Sequence, residues 1–342
     1  MDEFRLALSA DFLNPDGSPA FADLDLSPLT ADPRVTLDYV RFGEAAEGHQ
    51  LEGFDALIML YPPRFTRESV PRDGRLAMIS RFGVGYDSID VEACTEAGIA
   101  LTITPGGVRR PVAAAIMTLL LALSGRLMDK DRLARGGTAA YLRRGEYPGV
   151  GLIGRTLASV GLGNIGAEMV RLATPFDLRF IAHDPAVSPA QAAALNVTLV
   201  DLDTVFREGD FVAINCPLSP ATRHLVDARR LALMKPTAFL INTARGPIVD
   251  QQALTEALAA RRIAGAGLDV LEAEPPDPAD PILRLDNVIV TPHALCLTDQ
   301  CFQGIGVEAV RNVASLLKGE RPGGLVNPAV LETPNWRRRL AR

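Results

Sequence analysis

An α/β protein of two domains is the fold class this sequence predicts, and three observations predict it. The chain has 342 residues, long enough for two cores at roughly 150 residues per domain. Apolar runs of strand length recur along it with helical stretches between them, in two separate series. In the second series a glycine-rich turn, GLGNIG at 161–166, stands between an apolar run and a helical stretch.

The first series occupies residues 1–105 as RLALS, VTLDYV, DALIML, LAMIS and IALTI. Turn signals separate the runs: Asn14-Pro15-Asp16-Gly17, Pro62-Pro63 and Glu96-Ala97-Gly98. This part holds no nucleotide fingerprint and reads as a small parallel-sheet domain. From Arg110 to Met128 the pattern becomes one helix rich in Ala and Leu, apolar nearly all round, which predicts burial at a domain or subunit interface. The second series runs TLASVGL, RFIAHD, VTLVD, DFVAINC, AFLINTA, AGAGLDV and NVIVTP, with helical stretches such as AEMVRLATPF and DQQALTEALAARR. Seven strands with intervening helices fit a doubly wound nucleotide domain. Residues 298–318 read as a last helix, and 319–342 as a Pro/Gly-rich, then Arg-rich, tail around Trp336.

Hydrophobic residues at 48% and charged residues at 22% are ordinary globular usage, which sets aside disordered and fibrous classes. A net charge of -6 leaves no basic footprint, so no nucleic-acid partner is expected. The start, MDEFRLALSADF, fits neither a secretory signal nor a transit peptide, and a cytoplasmic location is expected. The longest apolar stretch, Val112 to Leu123, is too short to span a bilayer and is closed by Arg126, so no membrane role is expected. Cys94, Cys216, Cys296 and Cys301 show no CxxC or histidine spacing suited to zinc; neither a metal nor a disulfide is expected.

In GLGNIG, Gly161 permits the tight turn, Gly163 the close approach of a pyrophosphate, and Gly166 close packing of helix on strand; the helix start offers free N–H groups to the anion. Asp184 ends the next strand, eighteen positions after Gly166, where a carboxylate accepts hydrogen bonds from the adenosine ribose and repels a 2′-phosphate. These two features point to NAD rather than NADP. His183 reads as a packing residue at the strand end.

Ligands of open α/β sheets bind at the carboxyl ends of the strands. Arg245 follows FLINTA, Asp269 ends AGAGLDV, Glu274 lies in the loop beyond it, and His293 follows NVIVTP. Arg245, Glu274 and His293 supply a cation for an anion, a carboxylate and an imidazole, the groups needed to move a proton while a cofactor moves a hydride.

With these motifs in order the sequence resembles the D-isomer-specific 2-hydroxyacid dehydrogenases over roughly residues 50–320: FGVGYDSID (82–90), GLGNIG, CPLSPATRHLV (216–226), LMKPTAFLINTARGPIVD (233–250), GAGLDVLEAEP (265–275) and TPHA (291–294). The resemblance implies a Rossmann NAD-binding domain, residues 109–294, inserted into a discontinuous flavodoxin-like substrate-binding domain, residues 1–108 and 295–325, with a tail at 326–342. It implies a homodimer formed through the nucleotide domain. It also implies oxidation or reduction between a small 2-oxo acid and its (R)-2-hydroxy acid. Carried over, Arg245 pairs with the substrate carboxylate, His293 is the acid/base, and Glu274 hydrogen-bonds the far nitrogen of its ring. The N–H groups of Val84 and Gly85 hold the carboxylate from the other domain, across a cleft that closes. Asn164 and Ile165 lie over the pyrophosphate, Cys216 and Thr222 border the adenosine and ribose, and Thr243, Ala244 and Asp269 surround the nicotinamide.

Some positions depart from the family pattern. Leu60 and Pro62 stand where phosphoglycerate-type members carry arginines, so a phosphorylated substrate is not favoured, and the roles of Arg64 and Arg81 stay open. Arg109 and Arg110 either line the cleft or face solvent or a dimer mate. Cys296 stands where small residues are common and is expected to narrow the pocket. Two other readings share this fold: an NAD(H)-sensing corepressor-like binding protein, and a formate- or phosphite-type dehydrogenase, against which the carboxylate of Glu274 argues.

Overall fold

The computed structural model describes residues 3–340 except 22, 23 and 62, and not the side chains of 338–340. Pro62 and the tail's Arg338, Arg339 and Arg342 side chains therefore lie outside the described residues. The chain divides into two compact units, residues 1–108 with 297–342, and residues 109–296.

All five apolar runs of the first series are strands: β1 (Phe4–Ser9), β2 (Val35–Val40), β3 (Ala56–Met59), β4 (Met78–Arg81) and β5 (Ala100–Thr102). They form one parallel sheet in the order β2-β1-β3-β4-β5, the flavodoxin order. The inner strand β3 is buried throughout, as a parallel strand covered on both faces must be, and so is the edge strand β5, whereas the other edge strand, β2, alternates between partly buried and exposed. In β4, Ile79 enters a cluster with Leu57, Met59 and Leu101. Ser80 faces the other way, and its hydroxyl donates to Ala309 O of the helix Asp299–Leu317 at 3.3 Å. The segment from residue 326, which the sequence sets apart as a tail, packs into this unit instead. Asn327 donates to Ile99 O at 2.9 Å and accepts from Leu101 N at 2.9 Å, and Trp336 is 1% exposed. Burying an indole outweighs the polar composition around it.

The second unit contains β6 (Thr156–Val160), β7 (Arg179–His183), β8 (Val197–Leu199), β9 (Phe211–Ile214), β10 (Phe239–Asn242), β11 (Gly265–Leu268) and β12 (Val288–Val290). All pair in parallel, in the order β12-β11-β10-β9-β6-β7-β8. The chain starts at central β6, moves outward to β8 and returns to lay β9 beside β6, so the order reverses between β6 and β9. At such a reversal the loops diverge and leave a crevice at the carboxyl ends.

The Ala/Leu-rich helix extends over Pro105–Ser124, and Ala113, Ile116, Leu120 and Leu123 pack in one cluster with Leu157 of β6 and Phe211 of β9. Gly267 in β11 admits it closely, since a Cβ there would lie 3.0 Å from Leu119 Cβ. The helix is not buried all round as its composition predicts: Arg110, Ala114, Thr118 and Leu121 form an exposed stripe at helical spacing. Among the described residues it alone is long and apolar enough to cross a membrane, and half of that window is buried in the protein, as in a core helix.

Candidate active site

The turn after β6 shows which glycines the fold itself demands. Gly161 has φ +99°, and a Cβ on it would lie 2.8 Å from the Asn215 and Cys216 backbone. A Cβ on Gly166 would lie 2.6 Å from Gly161 O. Gly163 differs: a Cβ on it would meet nothing within 4 Å. That open space lies at the start of the helix Asn164–Ala173, whose N-cap, Gly163, supplies no side-chain hydrogen bond. Elsewhere Asp90, Asp201, Asp227, Asp250 and Thr298 cap their helices with a side-chain oxygen. The first-turn N–H groups, those of Asn164 and Ile165 included, are thus left for an anion. The Ile165 side chain packs into the core beneath.

Asp184, just after β7, accepts from Leu162 N at 2.7 Å and Ala186 N at 2.8 Å, which fastens it to the glycine-rich turn. His183 Nδ1 faces Val200 O at 3.2 Å, a packing role. Across the reversal, Asn215 donates to Ser159 Oγ at 2.8 Å, and Ser159 donates to Gly161 O at 2.5 Å. This brace of the turn carries no sequence signature. Asn215 Oδ1 and Thr243 Oγ1 are buried without a hydrogen-bond partner among the described residues. Orphaned polar atoms beside an open anion cradle fit a bound dinucleotide. Burial pushes the Cys216 thiol up to about 11, so it stays protonated and borders the site as an apolar group. The Thr222 hydroxyl is engaged in its own loop, donating to Pro217 O at 2.7 Å.

Arg245, Glu274 and His293 all lie in the second unit, on the loops after β10, β11 and β12. Arg245 has extended backbone, and its carbonyl accepts from Asn242 Nδ2 at 2.9 Å while its guanidinium donates to Ala244 O at 2.6 Å. Its turn is packed on the next loop, since a Cβ on Gly246 would lie 1.9 Å from Leu271 O. His293 takes the left-handed conformation, φ 53°, uncommon for a side-chain-bearing residue and held here by Asp269. His293 N donates to Asp269 O at 2.8 Å, while the Thr291 hydroxyl, Ala294 N and Leu295 N donate to Asp269 Oδ1 at 2.6, 3.1 and 3.2 Å. Asp269, 3% exposed, is therefore first a brace for the histidine turn. Among the described residues its Oδ2 receives only Leu295 N, at 3.3 Å, and retains acceptor capacity.

His293 Nδ1 lies 2.9 Å from Glu274 Oε2, and Leu271 N donates to Glu274 Oε1 at 3.0 Å. The carboxylate accepts, so Nδ1 carries the proton and Nε2 is the atom that gains or loses one. The hydrogen bond to Glu274 raises the His293 pKa above its ordinary value, helped by the Glu274 charge and opposed by burial and by Arg245. Burial by itself would raise the Glu274 carboxyl. The bond and charge of His293, the Leu271 N–H and the Arg245 charge together outweigh it and hold Glu274 below the usual carboxylate range. The site combines the Arg245 cation with an imidazole whose charged form is stabilised.

Val84 and Gly85 belong to the first unit, in the turn after β4. Among the described residues their N–H groups meet no acceptor. Arg81 is engaged with this turn: it donates to Gly85 O at 2.9 Å, Met59 O at 3.2 Å and Phe82 O. Arg109 and Arg110 turn to the cofactor helix, where Glu168 Oε1 receives Arg110 Nη1 at 2.7 Å and Glu168 Oε2 lies 3.8 Å from Arg109 Nε. The Arg110 hydrogen bond holds that buried carboxylate below its usual range.

Comparison with known proteins accords with this geometry. The model of the family described as D-isomer specific 2-hydroxyacid dehydrogenase, NAD binding domain, matches residues 117–294. A glyoxylate reductase of Thermofilum pendens is 38% identical over 284 residues, 81% of this chain and 83% of that protein. Among solved structures, an NADPH-dependent glyoxylate/hydroxypyruvate reductase of Sinorhizobium meliloti, in complex with NADP and malonate, superposes with a TM-score of 0.79 at 26% identity, covering 96% of this chain and 98% of that one. A D-lactate dehydrogenase of Aquifex aeolicus complexed with NAD and lactic acid gives 0.80 at 25% identity, covering 94% and 99%.

Proposed function

This chain belongs to the D-isomer-specific 2-hydroxyacid dehydrogenases, NAD(P)-dependent enzymes that interconvert 2-oxo and 2-hydroxy acids, and on that premise we propose that it acts with NAD on a small, unphosphorylated acid through Arg245 and His293. The observation that carries the reading is His293 Nδ1 at 2.9 Å from Glu274, which leaves Nε2 as the proton-transferring atom. When bound, the nicotinamide supplies or takes up the hydride. In reduction, His293 gives its Nε2 proton to the carbonyl oxygen of the substrate; in oxidation it removes the hydroxyl proton. The guanidinium fork of Arg245 binds the carboxylate in two-pronged fashion and polarises the adjacent carbonyl. In the first unit, the Val84 and Gly85 amides are assigned to a carboxylate as an anion nest.

On the cofactor side, Gly163, Asn164 and Ile165 take the pyrophosphate, Cys216 and Thr222 border the adenosine and ribose, and Thr243, Ala244 and Asp269 Oδ2 take the nicotinamide end. The charge of Asp184, followed by Pro185, Ala186 and Val187 with no cation among them, supports NAD over NADP. Glyoxylate is the first substrate to test, because a relative carries that name and because Leu60 and Tyr61, at the end of β3, supply no cation for a phosphate. A homodimer formed through the second unit is supported by the exposed apolar side chains Leu127, Met128, Leu142 and Ile153. A cavity of about 1110 Å³ also runs along edge strand β12 as far as Glu274 and His293. A cytoplasmic location and the lack of a nucleic-acid partner, which the net charge of -6 supports, complete the proposal.

A spectrophotometric panel tests it: glyoxylate, hydroxypyruvate, pyruvate and phosphorylated 2-oxo acids, each with NADH and NADPH, compared as kcat/KM. NADH oxidation with the smaller acids is the expected result. A preference for NADPH overturns the assignment to Asp184, and no turnover on any acid overturns the activity. Light scattering in solution checks the dimer, which a mass of one chain would contradict.

A further inference from the structure

A second histidine–carboxylate pair has its carboxylate on the same loop as Glu274. His224 Nε2 hydrogen-bonds Glu272 Oε1, and Glu272 is separated from Glu274 by Ala273 alone. His224, like His293, has left-handed backbone, φ 50°. Such a conformation persists in a bulky residue only where its surroundings hold it.

The contacts around this pair join the loops after β9, β10 and β11, the last two of which carry Arg245 and Glu274. The loop after β9 is tied to the loop after β10 by His224 N to Pro247 O at 2.9 Å and Val226 N to Ile248 O at 3.0 Å. The loop after β10 is pressed against the loop after β11 where Gly246 leaves no room for a Cβ beneath Leu271 O. Glu272 N reaches back to Gln251 Oε1 at 2.9 Å. The His224–Glu272 contact closes the circuit from the first loop to the third. Leu271, next to the residue it fixes, packs on the Arg245–Gly246 turn through its carbonyl and supplies from its own N–H the hydrogen bond that Glu274 Oε1 accepts.

We propose that His224 and Glu272 are positioning residues that hold the Leu271–Glu274 loop, and through it the Glu274 carboxylate and the Arg245 turn, in register with His293. The inference rests on the reading of His293 as the group that transfers the proton. His224 touches neither substrate nor the reacting atoms and acts through Glu274. An exposed ion pair by itself adds little to stability, so the consequence of breaking it falls on alignment.

The test uses the full chain and the variants His224→Leu, His224→Gln and Glu272→Gln. Steady-state NADH-dependent reduction of glyoxylate is measured across pH. The imidazole of His293 is titrated by NMR, which is tractable because the chain has four histidines. The groups that face His293 and set its titration are Glu274, Arg245 and Asp269; none is altered in these variants. In His224→Leu, kcat falls between about tenfold and a hundredfold, as for a misplacement on the order of 1 Å, with NADH affinity unchanged. The alkaline limb of the reduction profile and the His293 titration both move to lower pH. His224→Gln, which keeps a donor for Glu272, and Glu272→Gln, whose amide oxygen keeps an acceptor for His224, both recover most of the activity. Unchanged kcat and limb in His224→Leu, or a lowered melting temperature with the His293 titration unmoved, overturns the proposal. If the wild-type chain turns over no 2-oxo acid, the dehydrogenase reading fails. The His293 titration then decides the positioning role alone: a shift in His224→Leu supports it, and no shift overturns it.

Discussion

Replacing Glu274 by glutamine removes a charge and little else. The amide oxygen still accepts from His293 Nδ1, so the 2.9 Å contact survives and only its electrostatics change. Two unit charges about 4 Å apart attract by about 1 kcal/mol in water and about 4 kcal/mol at the effective dielectric of a protein surface. The His293 and Glu274 side chains are 43% and 39% exposed, so screening brings the attraction down to about 1 kcal/mol. Reduction requires protonated His293 and fails as pH rises through that pKa, which Glu274 holds above 6.5. Glu274→Gln therefore moves the alkaline limb of kcat/KM for NADH-driven reduction to lower pH. The onset of hydroxy-acid oxidation, which needs neutral His293, moves down with it. Initial-rate profiles of both directions in one buffer series measure the two limbs. A limb that stays in place, or moves upward, refutes the view that the Glu274 charge sets the proton affinity of His293.

The same pair links stability to pH. His293, with a raised folded pKa, contributes fully below 6.5 and loses its contribution as pH rises through the raised value; Glu274, with a lowered one, contributes above 4.5 and loses it as pH falls through the lowered value. The melting-temperature difference between wild type and Glu274→Gln is expected to be widest between those limits and to narrow on both sides. Gly161→Ala forces a left-handed alanine against the Asn215 backbone and should cost about 1–3 kcal/mol or more. Gly163→Ala, at φ −69° with open space around it, should leave the melting curve within about 0.5 kcal/mol and weaken NADH binding in a fluorescence titration; unchanged affinity would remove Gly163 from the pyrophosphate site. Arg245→Lys loses the planar fork, so kcat/KM for 2-oxo acids should fall by about two to three decades while NADH affinity holds. Trp336→Ala opens a cavity in the first unit and should cost about 3–5 kcal/mol by denaturant unfolding; a cost below about 1 kcal/mol would mean that the C-terminal segment is dispensable.

The twelve strands of the described residues were legible as strand-length runs between turn signals, and those buried on both faces are continuously apolar, written as LIM, LASV or FLIN. The cofactor class was legible for a related reason: GLGNIG encodes a backbone conformation in its glycines, and Asp184 follows at the spacing that one strand and one helix dictate. Burial of the helix after residue 105 was only partly legible. Ala114 and Leu121 are as apolar as their buried neighbours and still lie on an exposed stripe, since composition does not say which face finds a partner.

Sequence alone determined the two parallel sheets, the nicotinamide-dinucleotide site and the order of Arg245, Glu274 and His293 along the strand ends, because each is written in local pattern or in short spacing. Tertiary structure decided how those groups are held. His293 turns on Asp269 over 22 to 26 positions, Arg110 is committed to Glu168 across 58, and His224 reaches Glu272 across 48. Such partners become neighbours only because β9 returns to lie beside β6 and each later strand adds outside it. No local propensity records which loops that strand order stacks together.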